Sequence, residues 1–250
     1  MYIHSVLREA LSRAVENQLV PRNIAAFIDT PKLKKYRASV LNENEVQALL
    51  GACKNTKYYI PVLLGVALDL RRGEALGLQW KDIDYENKTM HINRSLLPTE
   101  NGLIFHDPKT EGSNRLIVVS ATVLDLLKAA KEQQEKYKAI LGAAYNDNDL
   151  VSCLEDGNPI NPSTFSQNFG RMLKRNNLPQ IRFHDLRNTN ATLMLKQNVP
   201  AKVASEKLGH STVGITLDLY SHVLKEMQVE AAEKLDSLLF SNEGEKNDDI

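Results

Sequence analysis

Six side chains scattered through this sequence are of the types that phosphate chemistry uses: Arg71, Lys109, His184, Arg187, His210 and Tyr220. A guanidinium presents a fork of N–H donors that matches two non-bridging phosphate oxygens and stabilises the charge of a pentacovalent centre. A phenol has a pKa of about 10, so at pH 7 roughly one molecule in a thousand is ionised, a deficit of about 4 kcal/mol for an attacking phenolate. Two arginines, two histidines and a lysine around one phosphodiester can offset that deficit. A histidine accepts the phenolic proton and a lysine protonates a leaving 5′ oxygen, each transfer typically worth about 10²- to 10⁴-fold. The set requires no cofactor: the sequence has no metal-ligand cluster and no glycine-rich phosphate loop.

Taken singly, each residue also has an ordinary structural reading. Arg71 follows "GVALDL" at the junction of two apolar helices, and Glu74, three residues on, pairs with it on one helix face. In "FHDLR", His184 and Arg187 stand three apart near a helix start, where free N–H groups and a partial positive charge suit a phosphate. His210 follows a glycine in "KLGHS", a loop position open to solvent or to a cleft. Lys109 lies in "DPKTEGSNR", a turn between strands, where a lysine ordinarily serves solubility. Tyr220 falls in "VGITLDLYSHV", on what reads as the exposed edge of a short helix.

The elements that must position these groups read as mostly helical. Apolar spacing in "HSVLREALSRAVENQLV" predicts a helix closed by Pro21. "TPKLKKYRAS" carries Lys32, Lys34, Lys35 and Arg37 with no acid and reads as a basic linker. Asn42 and Glu45 form a capping-box pattern opening the next helix, and two more follow through "IPVLLGVAL" and "GEALGLQW". Between Thr89 and Ser120 the pattern changes to three antiparallel strands, "TMHINRSLL", "LIFHD" and "RLIVV". Helices resume at "ATVLDLLKAAKEQQEKYKAIL"; a short "DLVSC" strand and an "EDGNP" turn precede "PSTFSQNFGRMLKRN", "FHDLRNTNATLMLKQ" and "PAKVASEKL". The expected class is α+β, mostly helical, with a small three-stranded antiparallel sheet.

Composition narrows the function. The 250 residues suffice for a real core, and no apolar run is long enough to span a membrane. The first residues lack the apolar stretch of a secretory signal, and Cys53 and Cys153 stand alone, as in a reducing cytoplasm. Formal net charge is zero; without the acidic tail "SNEGEKNDDI" it is +3. Affinity for DNA must therefore come from local placement of charge.

The blocks "LRRGEALGLQWKDID", "PKTEGSNR", "HDLRNTNATLML" and "LGHSTVGITLDLYSHV", in this order, resemble the tyrosine recombinases, specifically phage- and transposon-type integrases. The resemblance covers about residues 40 to 225. It implies that Arg71 and Arg187 clamp a scissile phosphate, with Glu74 orienting Arg71. Lys109 would be the general acid on a β-hairpin, His184 would assist proton transfer, and His210 would hydrogen-bond the phosphate. Tyr220 would attack to leave a 3′-phosphotyrosine and a free 5′-hydroxyl, and rejoining would need neither metal nor ATP. Two positions depart from the family pattern. Asp69 stands where a glycine usually precedes the Leu-Arg step, and Asn188 replaces a histidine that often follows the second arginine.

The implied organisation is a core-binding-domain remnant over residues 1–30, a linker over 31–40 and a catalytic domain over 41–225. A C-terminal helix over 226–240 and a disordered acidic tail over 241–250 complete it. Met227, Ala231, Leu235, Leu238 and Leu239 give that helix an apolar stripe, which in the family docks on a neighbouring subunit; docking in cis is the expectation without DNA. The implied partner is double-stranded DNA, bound by a homotetramer, with a monomer when DNA is absent and a cytoplasmic, bacterial or phage-encoded setting. With only part of a two-domain DNA clamp present, weak and salt-sensitive binding is expected. A non-catalytic DNA-binding relative and a type IB topoisomerase-like activity are the alternatives. An intact set of six argues against the first, and the integrase-like blocks against the second.

Overall fold

A computed structural model describes residues 2–28, 39–106, 114–208, 214 and 232–240. They divide into two compact units, residues 1–37 and 38–250, with the boundary inside the basic stretch. In the first unit, α1 (Tyr2–Glu16) is followed by a turn of 3-10 helix at Ile24–Phe27. Asn23 caps that turn and donates to Arg8 O and Ser12 Oγ at 2.8 Å, folding the turn back along α1. The helix stops at Glu16, before Pro21, with Gln18 in left-handed conformation (φ 59°).

The second unit begins with α2 (Glu43–Cys53), and its capping box is present as the sequence predicts. Glu45 N donates to Asn42 Oδ1 at 2.9 Å, and Asn42 N donates to Glu45 Oε2 at 2.7 Å. The helix α3 (Tyr59–Leu68) is apolar all round and buried from Pro61 to Val66, as a central core helix must be. It packs against α2, α4 (Arg72–Gly77) and α7 (Asp185–Lys196). The long α5 (Ala121–Leu141), α6 (Pro162–Arg175) and α8 (Ala201–Leu208) complete the helices of this body. Tyr58, Phe165, Phe169 and Phe183 form an aromatic cluster with ring centroids 5.2 to 6.3 Å apart, stacked between Phe165 and Phe169 and edge-to-face in the other three pairs. That cluster anchors Phe183, the residue just before His184.

A three-stranded antiparallel sheet is present, but its members differ from the three runs read in the sequence. Its order is β1-β2-β5, from Ile83–Asp84, Thr89–Ile92 and Arg115–Val118. The run "TMHINRSLL" breaks at Asn93 and Arg94, and its second half becomes β3 (Ser95–Thr99), which among the described residues pairs only with β4 (Gly102–His106). The break follows from side-chain demand. Asn93 donates to Asp82 Oδ1, and Arg94 reaches Gln79 and Asp82, so both turn inward to polar partners instead of continuing the ladder. The "DLVSC" segment contributes isolated bridges, Gln79 to Leu150 and Cys153 to Pro159, and no strand of its own.

The crossing of β3 over α4 depends on glycine. A Cβ on Gly77 would lie 2.9 Å from Leu96 N, and one on Gly73 would lie 2.1 Å from Ser95 Oγ. Gly77→Ala is expected to destabilise the protein by about 1–3 kcal/mol, because backbone must move to make room. Urea denaturation checks this; an unchanged midpoint would show that the strand accommodates the methyl.

No helix among the described residues is long and apolar enough to cross a membrane. Residues 232–240 are helical, and Leu235, Leu238, Leu239 and Phe240 are exposed, so over these residues the expected apolar stripe is not covered by the chain's own domain. The expected linker (mostly), the acidic tail, Met227 and Ala231 lie outside the described residues.

Candidate active site

Arg71 occupies the N-cap position of α4, immediately beyond the end of α3. The chain reverses there through Asp69, which is left-handed (φ 62°), while the N–H groups of Asp69 and Leu70 close on Leu64 O. A left-handed residue is a natural place for glycine, and aspartate is among the side chains that tolerate it. The departure at this position therefore leaves the turn intact.

Glu74, on the first turn of α4, is buried and accepts four N–H donors. Arg71 N and Nη1 donate at 2.8 Å each. Arg115, at the start of β5, donates through Nη1 at 3.1 Å and Nη2 at 2.8 Å, a forked pair. Burial alone would raise the Glu74 carboxyl, but the hydrogen bonds and charge of Arg115, and then those of Arg71, hold it down at about 2. Glu74 is thus a fixed anion between two guanidiniums. The Arg71 side chain remains 43% exposed and the Arg115 side chain only 13%, so Arg71 is the one with room to meet a ligand.

Arg187 lies one turn into α7 and is almost fully buried. Its Nη1 donates to Asp69 O at 2.8 Å and its Nη2 to Leu208 O at 2.5 Å, so it bridges the C-terminal ends of α3 and α8. Nη2 also lies 3.3 Å from Asp69 Oδ2. Desolvation lowers the Arg187 pKa, partly offset by the Asp69 charge, and the charges of Arg71, Glu74 and Arg115 all act on it. The helix that carries it is pinned by polar contacts. Thr189 Oγ1 accepts from Leu41 N at 3.1 Å, and Asn190 Nδ2 donates to Val66 O on α3 at 2.5 Å.

His184 precedes α7 and is exposed, but crowding of its ring and the neighbouring Arg187 charge hold its pKa below the usual histidine value. At neutral pH this favours the neutral imidazole, the form able to accept a proton. Asp185, fully buried beside it, accepts from Arg182 N at 2.8 Å and from Arg182 Nε and Nη2, fixing the entry to the helix.

The structure therefore brings Arg71, Glu74, His184 and Arg187, distant in sequence, within electrostatic reach of one another. Lys109, His210 and Tyr220 lie outside the described residues. Arg115 joins the cluster without having been singled out in the sequence. In "RLIVV" every residue after the arginine is apolar, so period-2 reading does not reveal which parity faces inward. The ladder settles it: Ile117 and Val119 are buried, Leu116 and Val118 are exposed, and Arg115 shares the inward parity. Among the described residues no group of three or more metal-ligating side chains converges.

Residues 39–227 match the model of the phage integrase family. The chain belongs to this family. Among curated relatives, a "tyrosine recombinase XerC-like" protein of Caldanaerobacter subterraneus subsp. tengcongensis is 32% identical over 222 residues, covering 84% of this chain and 57% of the relative. The ICEBs1 integrase of Bacillus subtilis is 28% identical over 239 residues, covering 95% of this chain and 65% of the relative. The chain thus spans about three-fifths of the length of these two relatives. Among solved structures, the Tn1549 transposon integrase in complex with a circular intermediate DNA superposes with a TM-score of 0.74 at 20% identity, covering 91% of this chain and 77% of that one. This likeness supports a tyrosine recombinase fold for the integrase-family chain.

Proposed function

We propose that this phage integrase family chain is the catalytic part of a site-specific DNA recombinase of a mobile genetic element, cutting and rejoining strands through a 3′-phosphotyrosine. The observation that carries the reading is the single cluster in which Arg71, steered by buried Glu74, and Arg187, steered by two backbone carbonyls, meet His184. Two fixed guanidiniums are what a phosphodiester needs for its non-bridging oxygens, and their geometry is set before DNA arrives. His184 takes part in proton transfer, His210 hydrogen-bonds the phosphate, and Tyr220 attacks phosphorus. Lys109 donates a proton to the departing 5′ oxygen. The diester bond to tyrosine conserves the energy needed for rejoining. DNA is bound as a homotetramer whose C-terminal helices, apolar and exposed over 232–240, dock on neighbouring copies. Residues 1–30 belong to the DNA-gripping module and 41–225 to the catalytic one.

The test is covalent capture. The chain is incubated with nicked duplexes from a randomised pool, so that the short strand diffuses away after cleavage, and protein-linked DNA is recovered after denaturation. A recovered adduct on residue 220 supports the reading. Binding without any adduct would favour a DNA-binding relative that lacks the chemistry. Lys109→Ala is expected to cut a normal strand at least about 10²-fold more slowly, and to regain speed when the bridging 5′ oxygen is replaced by sulfur, which departs without a proton. Absence of that rescue would remove the lysine from the acid role.

A further inference from the structure

Asp69 holds a second, unusual carboxylate in the cluster. It is fully buried, its Oδ2 is 3.3 Å from Arg187 Nη2, and neither oxygen accepts a hydrogen bond among the described residues. Arg187 is aimed by the backbone carbonyls of Asp69 and Leu208, not by this side chain. The Asp69 carboxylate therefore contributes charge more than geometry. The other charges that bear on it are Arg115 from β5, and Glu74 and Arg71 from α4 and its cap. Loss of hydration outweighs the three guanidiniums and pushes the Asp69 carboxyl up to about 7.

With Asp69 ionised, three guanidiniums face two carboxylates, an excess of one positive charge; with Asp69 protonated the excess is two. A phosphodiester carries one negative charge, and the phosphorane formed when an oxyanion attacks it carries two. An ionised Asp69 would compete with that phosphorane for the charge of Arg187, whereas a neutral one would not.

Resting on the recombinase reading above, we propose that Asp69 is a positioning residue that acts through Arg187: ionised, it is the counter-ion of that guanidinium, and it must be protonated for a phosphoryl group to occupy the clamp fully. Anion binding at the clamp is then linked to proton uptake. Because only the protonated form accepts the anion fully, apparent affinity tracks the protonated fraction and falls by about tenfold from pH 6 to pH 8.

The probe is inorganic sulfate, a tetrahedral dianion that does not titrate in this range. Its dissociation constant is read from the sulfate-dependent rise in melting temperature at matched ionic strength, at pH 6, 7 and 8. Across that range the wild-type chain is expected to lose about tenfold more affinity than Asp69→Asn loses. Titration of His184 is common to both proteins and cancels in the comparison. Asp69→Gly, which suits φ 62°, serves as a second variant should Asn fold poorly, and is expected to match it. Parallel pH profiles in wild type and variants would overturn the proposal. On a nicked duplex recovered by covalent capture, the same variants are expected to flatten the pH dependence of single-turnover cleavage. Failure to capture any duplex would count against the recombinase reading, while the sulfate comparison would still decide the role of Asp69.

Discussion

Tyr220→Phe is expected to abolish the covalent protein–DNA adduct completely while leaving DNA affinity within about twofold. The substitution removes one oxygen and keeps the ring, so only the proposed nucleophile is lost. Affinity is expected to survive, because binding to DNA generally comes chiefly from cationic contacts with phosphates, which the substitution does not touch. The measurement pairs denaturing electrophoresis of nicked-duplex reactions with filter binding at fixed salt. An adduct formed by the phenylalanine variant would reassign the nucleophile and with it the mechanism.

Glu74→Ala is expected to be the most damaging substitution among the described site residues. It removes the acceptor of four N–H donors: Arg71 N, Arg71 Nη1, Arg115 Nη1 and Arg115 Nη2. Arg115 is then left as a nearly buried cation without its anion, and Arg71 loses its aim. Breaking a buried pair in this way costs about 3–5 kcal/mol, which for a domain of this size lowers the melting temperature by roughly 10 °C. Glu74→Gln keeps the shape and separates charge from packing. Its signature is in acid. The folded carboxyl stands at about 2, below its ordinary 4.5, so its stabilisation is present above pH 4.5 and drains away as pH falls toward 2. The glutamine variant lacks that loss. Asp69 has the opposite sign: raised from 3.8 to about 7, it favours the fold below 3.8, and that contribution is lost as pH rises through 7. Equal acid sensitivity in wild type and Glu74→Gln would show that the forked pair with Arg115 does not depend on charge.

Much of the fold is legible in the sequence, for reasons local to the chain. The capping box at Asn42, the all-apolar α3 and the 21-residue α5 each depend on neighbours within a few positions, and each was found where the spacing predicts it. The sheet was harder. Whether "TMHINRSLL" is one strand or two depends on Asp82 and Gln79, which lie outside the run and become partners of Asn93 and Arg94 only after folding. Likewise, Arg115 reads as an ordinary strand-edge cation until β5 is registered against β2, with Arg115 opposite Ile92.

By itself the sequence determined the family, through four motif blocks whose residue types and order encode one chemistry, and the helical identity of most elements, because turn-to-turn periodicity and caps are short-range. Only the tertiary structure decided how the site is charged. A carboxylate at position 74 can be a surface partner held loosely or a buried anion held at about 2, and one at position 69 can be an ordinary acid or one raised to about 7. Which of these holds depends on how much water folding removes and on which guanidiniums the packing of α3, α4, α7 and β5 brings alongside. Desolvation and long-range charge are properties of the packed volume, and no run of neighbouring residues contains them.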